Sequence, residues 1–77
     1  MTDAATDLPL WVVYDHPSDY PRDYVARQHI IGVAGQRPTD RIMTGTLDSI
    51  RVALANLGLI RLTRSDADDP VIVETWL

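Results

Sequence analysis

Asp15, His16 and Asp19 are the one group of side chains in this sequence whose types and spacing suggest chemistry. A carboxylate beside an imidazole can hold a divalent ion or pass a proton at neutral pH. Their spacing argues against that use. Asp15 and His16 are adjacent, so at a strand end they are expected to point apart, and Pro17 restricts the pair further. A closed site needs recruits such as Asp23, His29 or Asp69. Short polar residues of this kind more often organise turns by accepting bonds from nearby backbone amides, as Asp15, Ser18 and Asp19 are placed to do. We read the cluster first as part of a rigid connector and second as an acid–base or metal-dependent site. No metal ligands are assigned and no cofactor is implied.

The remaining polar groups are weaker signals. His29 falls mid-strand beside Arg27 and Gln28, where a hydrogen-bonded or solvent-facing role is expected. Asp66, Asp68 and Asp69 lack the glycine and the later bidentate glutamate of a calcium-binding loop. Ser18, Ser49 and Ser65 have no G-x-S-x-G context, and neither a P-loop nor G-x-G-x-x-G occurs. "YPRDY" reads as a packed turn rather than a phosphotyrosine or proline-rich ligand.

The aromatic residues carry more information. Trp11, Tyr14, Tyr20 and Tyr24 all lie in Leu10–Arg27, leaving only Trp76 elsewhere, and phenylalanine is absent. Aromatics and arginines are enriched at protein interfaces, and a small core uses aromatics too. Trp11, Tyr20, Ile72 and Trp76 are the candidate interface residues.

With 77 residues there is room for one domain, and a chain of this length buries only about 60% of its unfolded surface. No cysteine is available for a disulfide or a cysteine-built zinc site. Burial of a further face by oligomerisation is one remaining route to stability. The net charge is −4, and the seven arginines are dispersed from Arg22 to Arg64 without a block. Phosphate binding needs clustered cations, so nucleic acid and anionic membrane are discounted as partners. No basic leader and no apolar run of membrane-spanning length occurs, which places the expectation in the cytoplasm.

These residues must be positioned by few elements. Residues 1–7 are small and polar and expected to fray. Leu10–Tyr14 reads as a central strand, apolar on both faces. Asp15–Asp23 is a proline-stiffened loop, in which Tyr20–Pro21 is a position where a cis bond is conceivable but trans is favoured. Tyr24–Ala34 is a second strand whose Ile30-Ile31 doublet implies a bulge or a strand outrunning the core. Gly35–Asp40 reads as a turn and Arg41–Thr44 as a short returning strand. Thr46–Leu57 has a helical apolar stripe (Leu47, Ile50, Ala53, Leu54, Leu57), an N-cap in Thr46 and a C-terminal Gly58. Its other face, with Asp48, Ser49, Arg51 and Asn56, is expected to be solvated.

Leu59–Arg64 and Val71–Leu77 read as a hairpin in which Arg61 opposes Glu74. Ile60, Leu62, Val71 and Val73 are expected to face the helix. Leu59, Thr63, Ile72 and Trp76 fall on the other side and, with one helix available, lack a cover.

"WVVYDHPSDYPRDYVAR" and "LIRLTRSDADDPVIVETWL" resemble a set of short, uncharacterised bacterial proteins. These share a Trp-x-x-Tyr-Asp-His-Pro-x-Asp-Tyr-Pro opening and an Arg-x-x-x-Asp-Asp-Pro-Val-Ile-Val-Glu-x-Trp ending. The resemblance spans most of the chain, implies the domain limits and strand ends, and carries no catalytic residues.

The expected fold is α+β: a mainly antiparallel sheet of four to five strands in the order ββ(β)αββ, with one helix on one face, over residues 8–77. The favoured function is a non-enzymatic protein-interaction module that pairs with itself, or with another protein, through the uncovered face or a strand edge. The alternatives are a small enzyme using Asp15, His16 and Asp19, and an acidic inhibitor that mimics nucleic acid. The last requires the ten aspartates to share one surface.

Overall fold

The structure, a computed structural model, describes residues 7–33, 35–63 and 70–77. Among the described residues five strands form one antiparallel sheet beside a single helix, so the fold is α+β. The elements are β1 (Leu8–Asp15), β2 (Tyr24–Gly32), β3 (Gly35–Gly45), α1 (Leu47–Asn56), β4 (Arg61–Thr63) and β5 (Ile72–Trp76), in the spatial order β3-β2-β1-β5-β4. The run "LWVVY" sits at the centre, as a strand apolar on both faces requires. The expected frayed segment lies outside the described residues apart from Asp7, as does the expected "SDADDP" loop with its three aspartates apart from Pro70.

The helix forms where its stripe and caps place it. The Thr46 hydroxyl accepts from the Ser49 amide at 3.1 Å, Asp48 occupies the first turn, and Gly58 adopts a left-handed φ of 82°. Ile50 and Leu54 are fully buried, with Leu47 packed beside them. Leu57 ends the stripe differently from expectation: as the C-cap residue it has turned outward and is exposed.

β3 is far longer than the Arg41–Thr44 segment expected. β2 stops at Gly32 rather than Ala34, and Gly32 pairs with Gly35, where φ is 110°, so the chain re-enters the sheet at once. The polar "GQRPTD" run is strand because β3 is an edge, where Pro38 costs no interior ladder bond, and because this end outruns the helix. The sheet irregularity falls between Arg27 and His29, not at Ile30-Ile31. There the Thr39 hydroxyl accepts from the Arg41 amide (3.1 Å) and donates to Gln28 Oε1 (3.0 Å).

β4 and β5 pair two residues away from the expected register: Arg61 opposes Trp76, and Thr63 opposes Glu74. A shift of two preserves which residues share a face. What changes is which face meets the helix. Trp76 opposes Trp11, and both join Val13, Ala26, Ile50 and Leu54 in the core under α1, with Leu59 packed against it. Ile60 and Leu62 therefore lie on the far side, exposed, together with Leu77, which exchanges both backbone bonds with Ile60. Val73 reaches the helix side because the β1–β5 register slips between Val13 and Tyr14.

Candidate functional site

The Asp15–Asp23 connector is closed by its backbone rather than by its carboxylates. The Tyr20 amide donates to the Pro17 carbonyl (2.9 Å), that of Asp23 to Tyr20 (3.3 Å), and that of His16 to Asp23 (3.1 Å). Tyr20–Pro21 is trans. His16 adopts a left-handed φ of 48°, and this overturns the expectation that Asp15 and His16 point apart: His16 Nδ1 bonds Asp15 Oδ1, and the imidazole meets the Tyr24 ring edge-on at 4.9 Å. Both side chains of the pair remain largely exposed.

Asp19 goes elsewhere. Asp15 pairs across with Tyr24, which packs on the helix-side core, whereas Asp19 contacts Arg27 at 3.4 Å on the opposite face of the sheet. The sheet end thus separates the three candidates into a pair and a single carboxylate. Among the described residues no three His, Asp or Glu side chains converge as metal ligands. Asp23 does not join them, and Asp69 lies outside the described residues.

The connector covers one end of the sheet face that lacks a helix. Leu8, Leu10, Val12, Tyr14, Val25, Arg27, His29 and Ile31 alternate onto this open face. At the connector end Val25 is only 1% exposed, and Tyr14, Pro17, Asp19, Val25 and Arg27 surround a concavity. The Tyr14 hydroxyl lies 3.3 Å from His29 Nε2, while His29 Nδ1 is buried without a partner. Burial, reinforced by the Arg27 charge, holds the His29 pKa below its ordinary value. Burial raises that of Tyr14; Arg27 opposes this and Asp19 adds to it.

At the other end the open face is bare. Leu8 (49% exposed), Ile31 (36%), Ile60 (69%), Leu62 (44%) and Leu77 (42%) share it around the better-buried Leu10 and Val12. Two of the expected interface residues are instead core: Trp11 and Trp76 are 4% and 7% exposed beneath the helix. Ile72 is half-buried opposite Tyr14 on the open face, and Tyr20 is exposed in the connector. The alternation of Leu8, Leu10 and Val12 and of Ile60 and Leu62 was readable in the sequence. Which side of the sheet they occupy was not.

The lone glutamate has a different partner from the one expected. Glu74, 3% exposed, accepts from Arg51 Nε (3.1 Å) and Nη2 (2.7 Å) and from the Trp76 indole (2.8 Å). Arg51 therefore leaves the solvated helix face and fastens α1 to β5, while Arg61 sits two positions from the anticipated pairing, opposite Trp76, and acts on Glu74 only through its charge. Burial pushes the Glu74 carboxyl up, but the Arg51 and Trp76 bonds and the Arg51 and Arg61 charges outweigh it, and the pKa lies below the ordinary carboxylate value.

The aspartates outside these contacts are spread: Asp40 lies on β3, Asp48 at the helix start and Asp23 in the connector. No helix among the described residues is long and apolar enough to cross a membrane. No protein-family model, curated protein or solved structure matches this chain, so the resemblance of its end motifs rests on those motifs alone.

Proposed function

We propose that this protein is a non-enzymatic interaction module that forms a homodimer through the bare end of its open sheet face. One observation carries the reading: five of the exposed large apolar residues, Leu8, Ile31, Ile60, Leu62 and Leu77, fall on one face of one sheet. Monomeric domains rarely leave a contiguous apolar patch of this kind to water. A second copy packing sheet on sheet over this patch about a two-fold axis gives helices outside and strands within. That arrangement supplies the burial a short chain without disulfides lacks. A chain without cysteine suits the cytoplasm, which we take as its setting. The enzyme reading has less behind it, because Asp19 is turned to the opposite face from Asp15 and His16.

The test is mass in solution at micromolar concentration by multi-angle light scattering. The expected result is twice the chain mass for the wild type and a folded monomer for Ile60→Asp, whose side chain is already exposed and contributes little to the core. A wild-type protein that stays monomeric overturns the proposal.

A further inference from the structure

The concavity at the connector end of the open face measures about 240 Å³ and is lined by Tyr14, Pro17, Asp19, Val25 and Arg27. Its walls are unequal in kind. Val25, Pro17 and the Tyr14 ring are apolar surface, and Arg27 is the one cation among its lining residues. The guanidinium makes a single long contact, Nη2 to Asp19 Oδ2 at 3.4 Å, and both side chains are partly exposed, by 32% and 58%. A pair of that length and exposure is weak, and it leaves most of the five-donor fork of Arg27 free to bind an incoming group. Two oxygens of a carboxylate fit that fork with shorter, parallel bonds.

Size and charge narrow the occupant further. The space holds about eight water-sized groups, which is below the range of drug-sized ligands. Asp19 at the rim and the net charge of −4 oppose a dianion more than a monoanion. We propose that this concavity binds a small monocarboxylate with a flat apolar body: the carboxylate displaces Asp19 from Arg27, and the body lies against Val25, Pro17 and the Tyr14 ring. The site is independent of the homodimer reading, because the bare patch occupies the other end of the face.

Benzoate titrated into the ¹⁵N-labelled protein tests this, with benzamide as the neutral isostere and inorganic phosphate as the dianion. Saturable shifts at the amides of Tyr14, Val25 and Arg27 are expected with benzoate, with a Kd of about millimolar for a ligand of this size, and none with benzamide. Arg27→Gln is expected to weaken binding about tenfold or more, and Asp19→Asn, which frees the guanidinium, to tighten it several-fold. Arg41→Gln, on exposed β3, leaves the affinity unchanged. Equal responses to benzoate and benzamide, a stronger response to phosphate, or shifts that map elsewhere overturn the proposal. So does an Asp19→Asn affinity equal to or below wild type, and this variant decides alone if Arg27→Gln fails to fold.

Discussion

Glu74 is the residue on which the attachment of helix to sheet turns. Its carboxylate is buried and accepts from both Arg51 and Trp76, so removing the arginine leaves a charge in the core with one donor. Arg51→Ala is expected to cost about 2–3 kcal/mol in chemical denaturation, less than a fully buried pair because the arginine itself is partly exposed. The same carboxylate gives an acid limb. A folded pKa below the unfolded one means the native state binds fewer protons, so this stabilisation is complete above the ordinary carboxylate pKa and is lost as pH falls through the lower folded value. Arg51 from α1, Arg61 from β4 and the neighbouring Trp76 indole are the groups that set it. Unfolding measured from pH 5 downward is expected to show a smaller loss in Glu74→Gln than in wild type. His29 adds a separate step at higher pH. Its lowered pKa favours the neutral ring in the fold, so stability declines as pH drops below the ordinary imidazole range, and His29→Gln removes that decline. The presence of Glu74 and Arg51 was visible in the sequence. Their contact was not, because α1 and β5 are brought together only by the packed sheet.

At the scale of elements, the helix is the part written most completely into local residues. Thr46, Asp48 and Gly58 mark its ends, and its buried positions follow its own period. Thr46→Ala is expected to lower stability by about 1 kcal/mol through loss of the bond to the Ser49 amide. Gly58→Ala should cost about 1 kcal/mol as well, since its left-handed φ is strained for a residue with a Cβ; thermal unfolding monitored by circular dichroism measures both. Strands were harder to bound. Gly35–Asp40 reads as a turn by composition, but an edge strand beyond the core tolerates proline and polar side chains, so composition and structure part company there. The pairing of β4 with β5 was expected, but its register depended on a turn that short-range signals do not specify.

At the scale of the whole molecule, the sheet has a helix on one face and a connector over part of the other. The two tryptophans lie on the helix side, where they are part of the core. Trp76→Ala is expected to cost about 3–5 kcal/mol, enough to abolish the cooperative unfolding transition of so small a domain, rather than to yield a folded monomer. If the bare face pairs as proposed, the wild-type melting temperature rises with protein concentration, and that of Ile60→Asp does not. A concentration-independent wild-type transition would count against the dimer.

The sequence by itself determined the fold class, the helix and its caps, the central place of β1 and, apart from Ile72 and Val73 at the β1–β5 slip, the sets of residues that share a face, because each follows from local periodicity and backbone preference. Only the tertiary structure decided which of the two faces of β4 and β5 the helix covers, that Arg51 holds Glu74, and that Asp19 turns away from Asp15 and His16 to Arg27. A period of two is blind to the sign of the face. Closing the long-range contacts removes that ambiguity, since burying Trp76 beneath α1 also brings Arg51 to the buried Glu74.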